Sequence, residues 1–456
     1  MSRTIVETRK ELVDGTKSVT EVVSESLKII KDKEKLNAFI TLAEDEALVR
    51  ATWLEKNGDR SLPLFGVPVA LKDMYLTKGI RTTAGAKLLE EYVPPYSASV
   101  VEKLEEAGAV IVGKTNQDAW AHGASGENSD FGPSLNPSNE EYVPGGSSSG
   151  SAVAVAAGMV PLAMGTDTGG SIRQPANFVG VVGFKPSYGR VSRYGVIAMA
   201  SSLDSMGHFT NSVEDAALVL GVTAGADERD ATTRAARNYE FEDFSKKGLE
   251  GVRVGIAKEY VEAIADEEIK ENFEKVKSKL ERLGAILVDV ALPHTKEAIA
   301  VYYILQPAEV SSNLARFDGV RYGKGRDSFG KEAKRRIVVG SYTLSSGYYD
   351  AYYRQALKVR TLVRQDFERA FERVDALVTP VSPTTAFKLG EKTSDPLAMY
   401  MADVLTVPVN LAGLPAIAIP SGKTKGGLPM GVQVIGRYMD EERMLPISYE
   451  LESELI

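Results

Sequence analysis

Three short segments hold the residue types from which a hydrolase could be built. Gly165-Thr-Asp-Thr-Gly-Gly-Ser171-Ile-Arg-Gln-Pro175 places a serine behind two glycines, and Pro144-Gly-Gly-Ser147-Ser-Ser-Gly-Ser151 is a second Gly/Ser cluster. Lys72 closes the apolar run Gly66-Val-Pro-Val-Ala-Leu71. Glycine ahead of a serine lets the backbone approach a substrate closely. The backbone N–H groups of Thr168, Gly169, Gly170 and Ser171 could then converge on an oxyanion beside the Ser171 hydroxyl. That hydroxyl needs a base. A lysine at the end of a buried strand loses hydration, which favours its neutral form, and a neutral lysine can accept the proton of a serine. Taken singly, each Gly/Ser segment also reads as a turn or a phosphate cradle. The Lys-Ser/Thr ending of a phosphate loop is missing from both. Lys72 alone also reads as a strand-end lysine with its ammonium in water.

Other chemistries are thinly supplied. The three histidines, His122, His208 and His294, lie outside any strand-to-helix nucleophile turn, and no G-x-S-x-G occurs. They read as packing or surface residues. No tight His/carboxylate spacing suggests zinc. The chain has no cysteine, which excludes a disulfide scaffold, a thiolate metal site and a cysteine nucleophile. A net charge of -8 disfavours a surface that grips nucleic acid along its whole length. The charged N-terminus lacks the apolar core of a signal peptide. The apolar stretch from Ala152 to Met164 is broken by Gly158 and Pro161 and is too short to span a bilayer. A cytoplasmic protein without membrane contact is expected.

The elements that must carry these residues follow an α/β rhythm. Residues 4–57 read as helices, 65–71 as a strand, 100–107 as a helix and 109–113 as a buried strand. The loop 144–151 feeds a buried helix at 152–158. Further strands are expected at 252–256, 285–290, 375–380, 416–420 and 431–435, with an amphipathic helix at 267–283. Residues 225–251 and 320–330 read as polar loops.

On Gly66–Asp73, Pro144–Ser151 and Gly165–Pro175 the chain resembles the amidase-signature family. The resemblance implies an α/β amidase-signature fold: a central mixed β-sheet covered by helices on both faces. It implies one domain over 1–456, with N-terminal helices at 1–60, a signature core at 66–215 and a pocket-forming remainder at 216–456. It also implies a Ser–cis-Ser–Lys triad, with Ser171 as nucleophile, Ser147 as the bridging cis-serine and Lys72 as base. The backbone of Thr168, Gly169 and Gly170 would supply the oxyanion hole.

Five further stretches, Ser311–Gly323, Phe329–Arg336, Ser345–Tyr353, Met399–Asp403 and Val407–Gly413, are similar to the family's glutaminase branch. Those members are the glutaminase chains of tRNA-dependent amidotransferases. That similarity implies glutamine as substrate. Arg336 would hold its α-carboxylate and Asp403 its α-ammonium, and Tyr302, with Tyr303 as the neighbouring alternative, would add a hydroxyl. It implies no cofactor in this chain; ATP and Mg are expected in a partner. The partners would be a transamidase (a B-type chain) and a small C-type chain in a heterotrimer, with tRNA, as Glu-tRNA(Gln) or Asp-tRNA(Asn), held mainly by the transamidase. Ala119 and Trp120 depart from the family's usual acid and phenylalanine, and Gly126 from its usual threonine. These changes are expected near the pocket rim or surface, and the loop from Tyr322 to Phe329 looks short. A stand-alone amidase for a small amide is the alternative. A dead scaffold is disfavoured by intact Lys72, Ser147 and Ser171.

Overall fold

The structure, a computed structural model, describes residues 3–455 apart from 242, 243, 245–247, 321 and 322. Among these residues the strands are β1 (Phe39–Leu42), β2 (Pro68–Lys72), β3 (Val110–Thr115), β4 (Leu162–Asp167), β5 (Val182–Lys185) and β6 (Ser205–Thr210). They continue as β7 (Arg253–Ala257), β8 (Ile286–Val290), β9 (Ala376–Pro380), β10 (Ala416–Lys423) and β11 (Pro429–Ile435). All join one mixed sheet in the order β1-β3-β2-β4-β6-β5-β10-β11-β9-β7-β8. β2 runs parallel to both β3 and β4, and β7 runs parallel to β8 and β9. The neighbours from β4 through β9 pair antiparallel.

The sheet is buried on both faces because its strands alternate apolar residues toward two cores. Val69 and Leu71 of β2 join one core with the helices Val213–Thr223 and Glu441–Leu455, whereas Ala70 faces the other. That second core takes the helices Val19–Asp32, Glu44–Asn57 and Ser149–Ala156. The α/β expectation with helices on both faces therefore holds. The first two helices are closed by capping boxes, Thr4 with Glu7 and Ser18 with Glu21, each satisfying two otherwise unpaired N–H groups.

The structure differs from the sequence reading in two sets of elements and in the placement of three residues. Residues 39–42, inside the segment read as helical, form β1 at the sheet edge, paired antiparallel with β3. Strands β4, β5 and β6 are additions to the expected set; β4 is broken up in composition by Gly165 and β5 by Gly183. The departures at 119, 120 and 126 are interior rather than peripheral. Trp120 is 1 % exposed and packs against Phe317 and Phe329, with ring centroids 4.9 and 5.4 Å away. Ala119 is buried beside it. Gly126 has φ +82°, and a Cβ there would collide with Ser149. Arg321 and Tyr322, and so the start of the loop that looks short, lie outside the described residues. No helix among the described residues is long and apolar enough to cross a membrane.

Candidate active site

Lys72 is the last residue of β2, and Asp167 the last of its parallel neighbour β4. The carboxyl ends of adjacent parallel strands deliver both side chains to one crevice. Lys72 is fully buried. Its Nζ donates to Ser147 Oγ at 2.8 Å, Ser148 Oγ at 2.9 Å and Thr166 Oγ1 at 2.8 Å, one acceptor for each ammonium proton. Burial pulls its pKa down to about 7, against the opposing charges of Asp118, Asp167 and Asp204. The Ser148 hydroxyl donates to the Thr166 carbonyl at 3.1 Å. When Lys72 is neutral, its lone pair must take a proton from another hydroxyl, and Ser147 is in place to give one.

The Gly146–Ser147 peptide is cis, as the family resemblance implies. The turn before it admits only glycine, since a Cβ at Gly146 would run into the Asp118 carboxylate. Gly146 N–H donates to Gln174 Oε1 at 3.0 Å, and Asp118 N–H to the Ser147 carbonyl at 3.1 Å. Asp118 also accepts from the N–H groups of Gly126 and Asn128 at 3.0 and 2.8 Å, and burial raises its pKa to about 6.

Ser171 sits between β4 and the helix Arg173–Val179. Ser148 N–H donates to its carbonyl at 3.2 Å, which ties the two serine segments together. Ser171 retains 8 % exposure, while Lys72 and Ser147 have none, so a substrate reaches the group through Ser171. The loop is held from beneath by Asp167. Burial would raise the Asp167 carboxyl, but the fully buried Arg173, 3.1 Å away, brings it down to about 2. Arg173 donates further to Gln433 Oε1 at 2.9 Å, Asn410 Oδ1 at 2.6 Å and the Thr406 carbonyl at 3.1 Å.

This clamp corrects one expectation. The Gly170 N–H is not free for an oxyanion, because it donates to Asp167 Oδ1 at 2.9 Å. The N–H groups of Thr168, Gly169 and Ser171 make no hydrogen bond among the described residues. Thr168 is fixed through its hydroxyl, which donates to Asp204 at 2.7 Å.

Two of the three residues assigned to substrate recognition, Tyr302 and Asp403, reach this crevice from the second half of the chain, and the third, Arg336, acts on both through its charge. Tyr302, on the helix Thr295–Leu314, lies over Gly169 so closely that a Cβ there would strike its ring and hydroxyl. Asp403 approaches Gly170, and its buried Oδ1 has no partner among the described residues. Burial, then the Asp167 charge, pushes its pKa well above the usual range. Arg336 donates from Nε to Glu332 and from Nη1 to Gln306, both at 2.9 Å. The fork expected for a carboxylate is thus partly occupied, and Nη2 is the nitrogen without a hydrogen-bond partner among the described residues. Arg336 feels the charges of both Tyr303 and Tyr302, and Tyr303 packs against it. Its ring lies 5.7 Å from the guanidinium and stacks on Tyr400 at 3.6 Å. Arg336, Tyr303, Tyr400, Ser125 and His122 line a cavity of about 240 Å³. A larger cavity of about 840 Å³, around Arg360, Phe371 and Tyr438, shares none of these residues.

Several participants carry no signal of their own in the sequence. Asp118, Ser148, Thr166 and Asp204 surround Lys72 or the serine loops, and the Asp167–Arg173 pair braces Ser171. The only signal for that pair is its place inside the Gly165–Pro175 motif. Conversely, Gly108–Thr115 matches the phosphate-loop pattern G-x-x-x-x-G-K-T. Most of it is the buried strand β3, with Lys114 paired to Asp73 at 3.3 Å, so no cradle forms there. Among the described residues no cluster of His and carboxylate side chains is arranged to hold a metal.

Comparison with known proteins identifies the family. The Amidase family model matches residues 21–445. The A subunit of glutamyl-tRNA(Gln) amidotransferase from Koribacter versatilis is 50% identical, covering 99% of this chain and 98% of the relative. Its counterpart in Geobacter metallireducens is 52% identical over 92% of this chain and 90% of its own length. The crystal structure of the Thermotoga maritima counterpart superposes with a TM-score of 0.85 at 43% identity, covering 99% of this chain and 94% of that one. A peptide amidase from Stenotrophomonas maltophilia superposes at 0.84 with 29% identity, covering 99% and 96%. Matched nearly end to end at half identity, the chain belongs to the amidase family, within its group of glutamyl-tRNA(Gln) amidotransferase A subunits.

Proposed function

We propose that this chain is the glutamine-hydrolysing subunit of a tRNA-dependent amidotransferase, with Ser171, Ser147 and Lys72 as its catalytic relay. The observation that carries the chemistry is a fully buried lysine, with its pKa near 7, bonded to the Ser147 hydroxyl. Neutral Lys72 takes the proton of Ser147 as Ser147 takes that of Ser171. Ser171 Oγ bonds to the side-chain amide carbon of glutamine, and the oxyanion meets the free N–H groups of Gly169, Ser171 and Thr168. The proton returns through Ser147 to the amide nitrogen, the C–N bond breaks and ammonia leaves. Water then attacks the glutamyl ester and frees glutamate.

Substrate identity rests on charge. Free glutamine is a zwitterion; the crevice offers Asp403, whose Oδ1 has no partner among the described residues, and Arg336, whose charge acts on Asp403, leaves Nη2 without a partner among the same residues. A stand-alone amidase for a neutral amide needs neither. The relatives are named as A subunits of a glutamyl-tRNA(Gln) amidotransferase, which supports further subunits; this reading adds a transamidase partner that would bind ATP and Mg and amidate the mischarged tRNA, and a small third chain. Co-expression of the three, assayed for amidated tRNA, tests this reading. Ser171→Ala is expected to abolish glutamine-dependent amidation and leave ammonia-dependent amidation intact; equal loss of both would overturn it.

A further inference from the structure

His122 stands apart from the other histidines. His208 bonds through Nε2 to the Ala216 carbonyl at 3.0 Å, and His294 through Nδ1 to Asp366 at 2.9 Å. His122 is 1 % exposed, yet neither of its ring nitrogens has a partner among the described residues. A buried polar group left without a partner is uncommon and calls for a reason. The sequence suggests packing or surface; the structure instead puts this imidazole in the wall of the cavity that also holds Arg336 and Tyr303.

The backbone that presents it is unusual. Trp120 and Ala121 both adopt left-handed conformations, with φ of +59° and +62°, a region that non-glycine residues rarely occupy and that clusters at functional sites. The turn is fixed on three sides. Trp120 is wedged between Phe317 and Phe329. The His122 carbonyl accepts from Asn128 Nδ2 at 2.7 Å. At Gly123 a Cβ would run into the Asp118 carboxylate. The chain is thus held in a conformation that turns one histidine toward the cavity.

The neighbouring arginine leaves work for such a group. Arg336 has already placed its Nε on Glu332 and its Nη1 on Gln306. A carboxylate offers two oxygens and about four lone-pair sites, more than the open Nη2 fills. Burial, and then the Arg336 charge, hold the His122 pKa well below its usual value. The ring is therefore neutral, with one N–H donor and one lone pair. Asp403, whose Oδ1 also has no partner among the described residues, suits an ammonium.

We propose that His122 is a specificity-determining residue whose ring N–H binds the α-carboxylate of glutamine beside Arg336 Nη2. The proposal rests on the glutaminase reading above. The test compares glutamine with 4-aminobutanamide, its analogue without the α-carboxylate, using the assembled enzyme. His122→Met is expected to raise the KM for glutamine about tenfold, the loss of one hydrogen bond to a charged group, with kcat within about twofold. Its activity on 4-aminobutanamide should be unchanged. His122→Gln, which keeps a donor, is expected to recover part of the loss. Equal losses on both substrates would make His122 structural, and no change on either would remove it from the pocket; each result overturns the proposal. A wild-type enzyme that hydrolyses 4-aminobutanamide but not glutamine would instead overturn the glutaminase reading, and this proposal with it.

Discussion

The titration of Lys72 should be visible in the rate of glutamine hydrolysis. With a pKa of about 7, roughly 90% of Lys72 is neutral at pH 8 and roughly 10% at pH 6, from the definition of the pKa. Neutral lysine is the active form, so kcat is expected to fall about tenfold from pH 8 to pH 6, activity being lost as pH falls through 7. Asp118, which titrates near pH 6, tempers the lower end: once protonated, it no longer supports the Lys72 charge. Two variants isolate the cause. Asp118→Asn removes a charge that holds the Lys72 pKa up and is expected to move the acid limb to lower pH. Lys72→Met removes the base, an effect of about 10²–10⁴ in rate, or about 3–5 kcal/mol. It should erase the limb. The assay is glutamate release by the assembled enzyme from pH 5.5 to 9, with ammonia-dependent amidation as control. A flat profile, or a Lys72→Met enzyme that keeps both its rate and its limb, would refute Lys72 as the base.

Other outcomes follow from the same geometry. Burial keeps the unliganded Asp403 carboxyl protonated into an unusually high pH range, and an ammonium needs the ionised form. The glutamine KM is therefore expected to fall as pH rises, whereas Asp403→Asn should give a high KM with little pH dependence; steady-state kinetics against pH decide it. Arg173→Leu leaves Asp167 buried without its counter-ion, and chemical denaturation is expected to show a loss of about 3–5 kcal/mol. Lys28→Ala, which breaks the exposed pair with Asp32, should cost less than about 1 kcal/mol in the same assay.

The sequence makes some of this site legible and hides the rest for identifiable reasons. Lys72, Ser147 and Ser171 stand out because glycine-rich turns and a charge at the end of an apolar run are local signals. Strand Pro68–Lys72 is legible from its β-branched run, and the structure extends it to the lysine itself. The short edge strand Phe39–Leu42 reads as helix because four half-buried residues between helices carry too little periodicity. The role of Asp167 is invisible for another reason. Its partner Asn410 is 243 residues away, and Arg173 reaches Gln433 across 260, so the brace exists only once the chain has folded. The engaged Gly170 N–H is the local consequence of that distant network. Arg336 and Asp403 emerge only through resemblance, since Lys334-Arg-Arg336 by itself reads as a solvated basic face. His122 has no local signal at all: only the fold leaves its ring near Arg336 and without a partner among the described residues.

The central claim is that Ser171 becomes covalently acylated by glutamine. Rapid acid quenching of the enzyme during turnover, followed by peptide mapping and mass spectrometry, tests it directly. The account predicts a glutamyl group on the peptide containing Ser171, formed at the rate of ammonia release and missing from Ser171→Ala. An adduct on another residue, or an active Ser171→Ala enzyme, would contradict it.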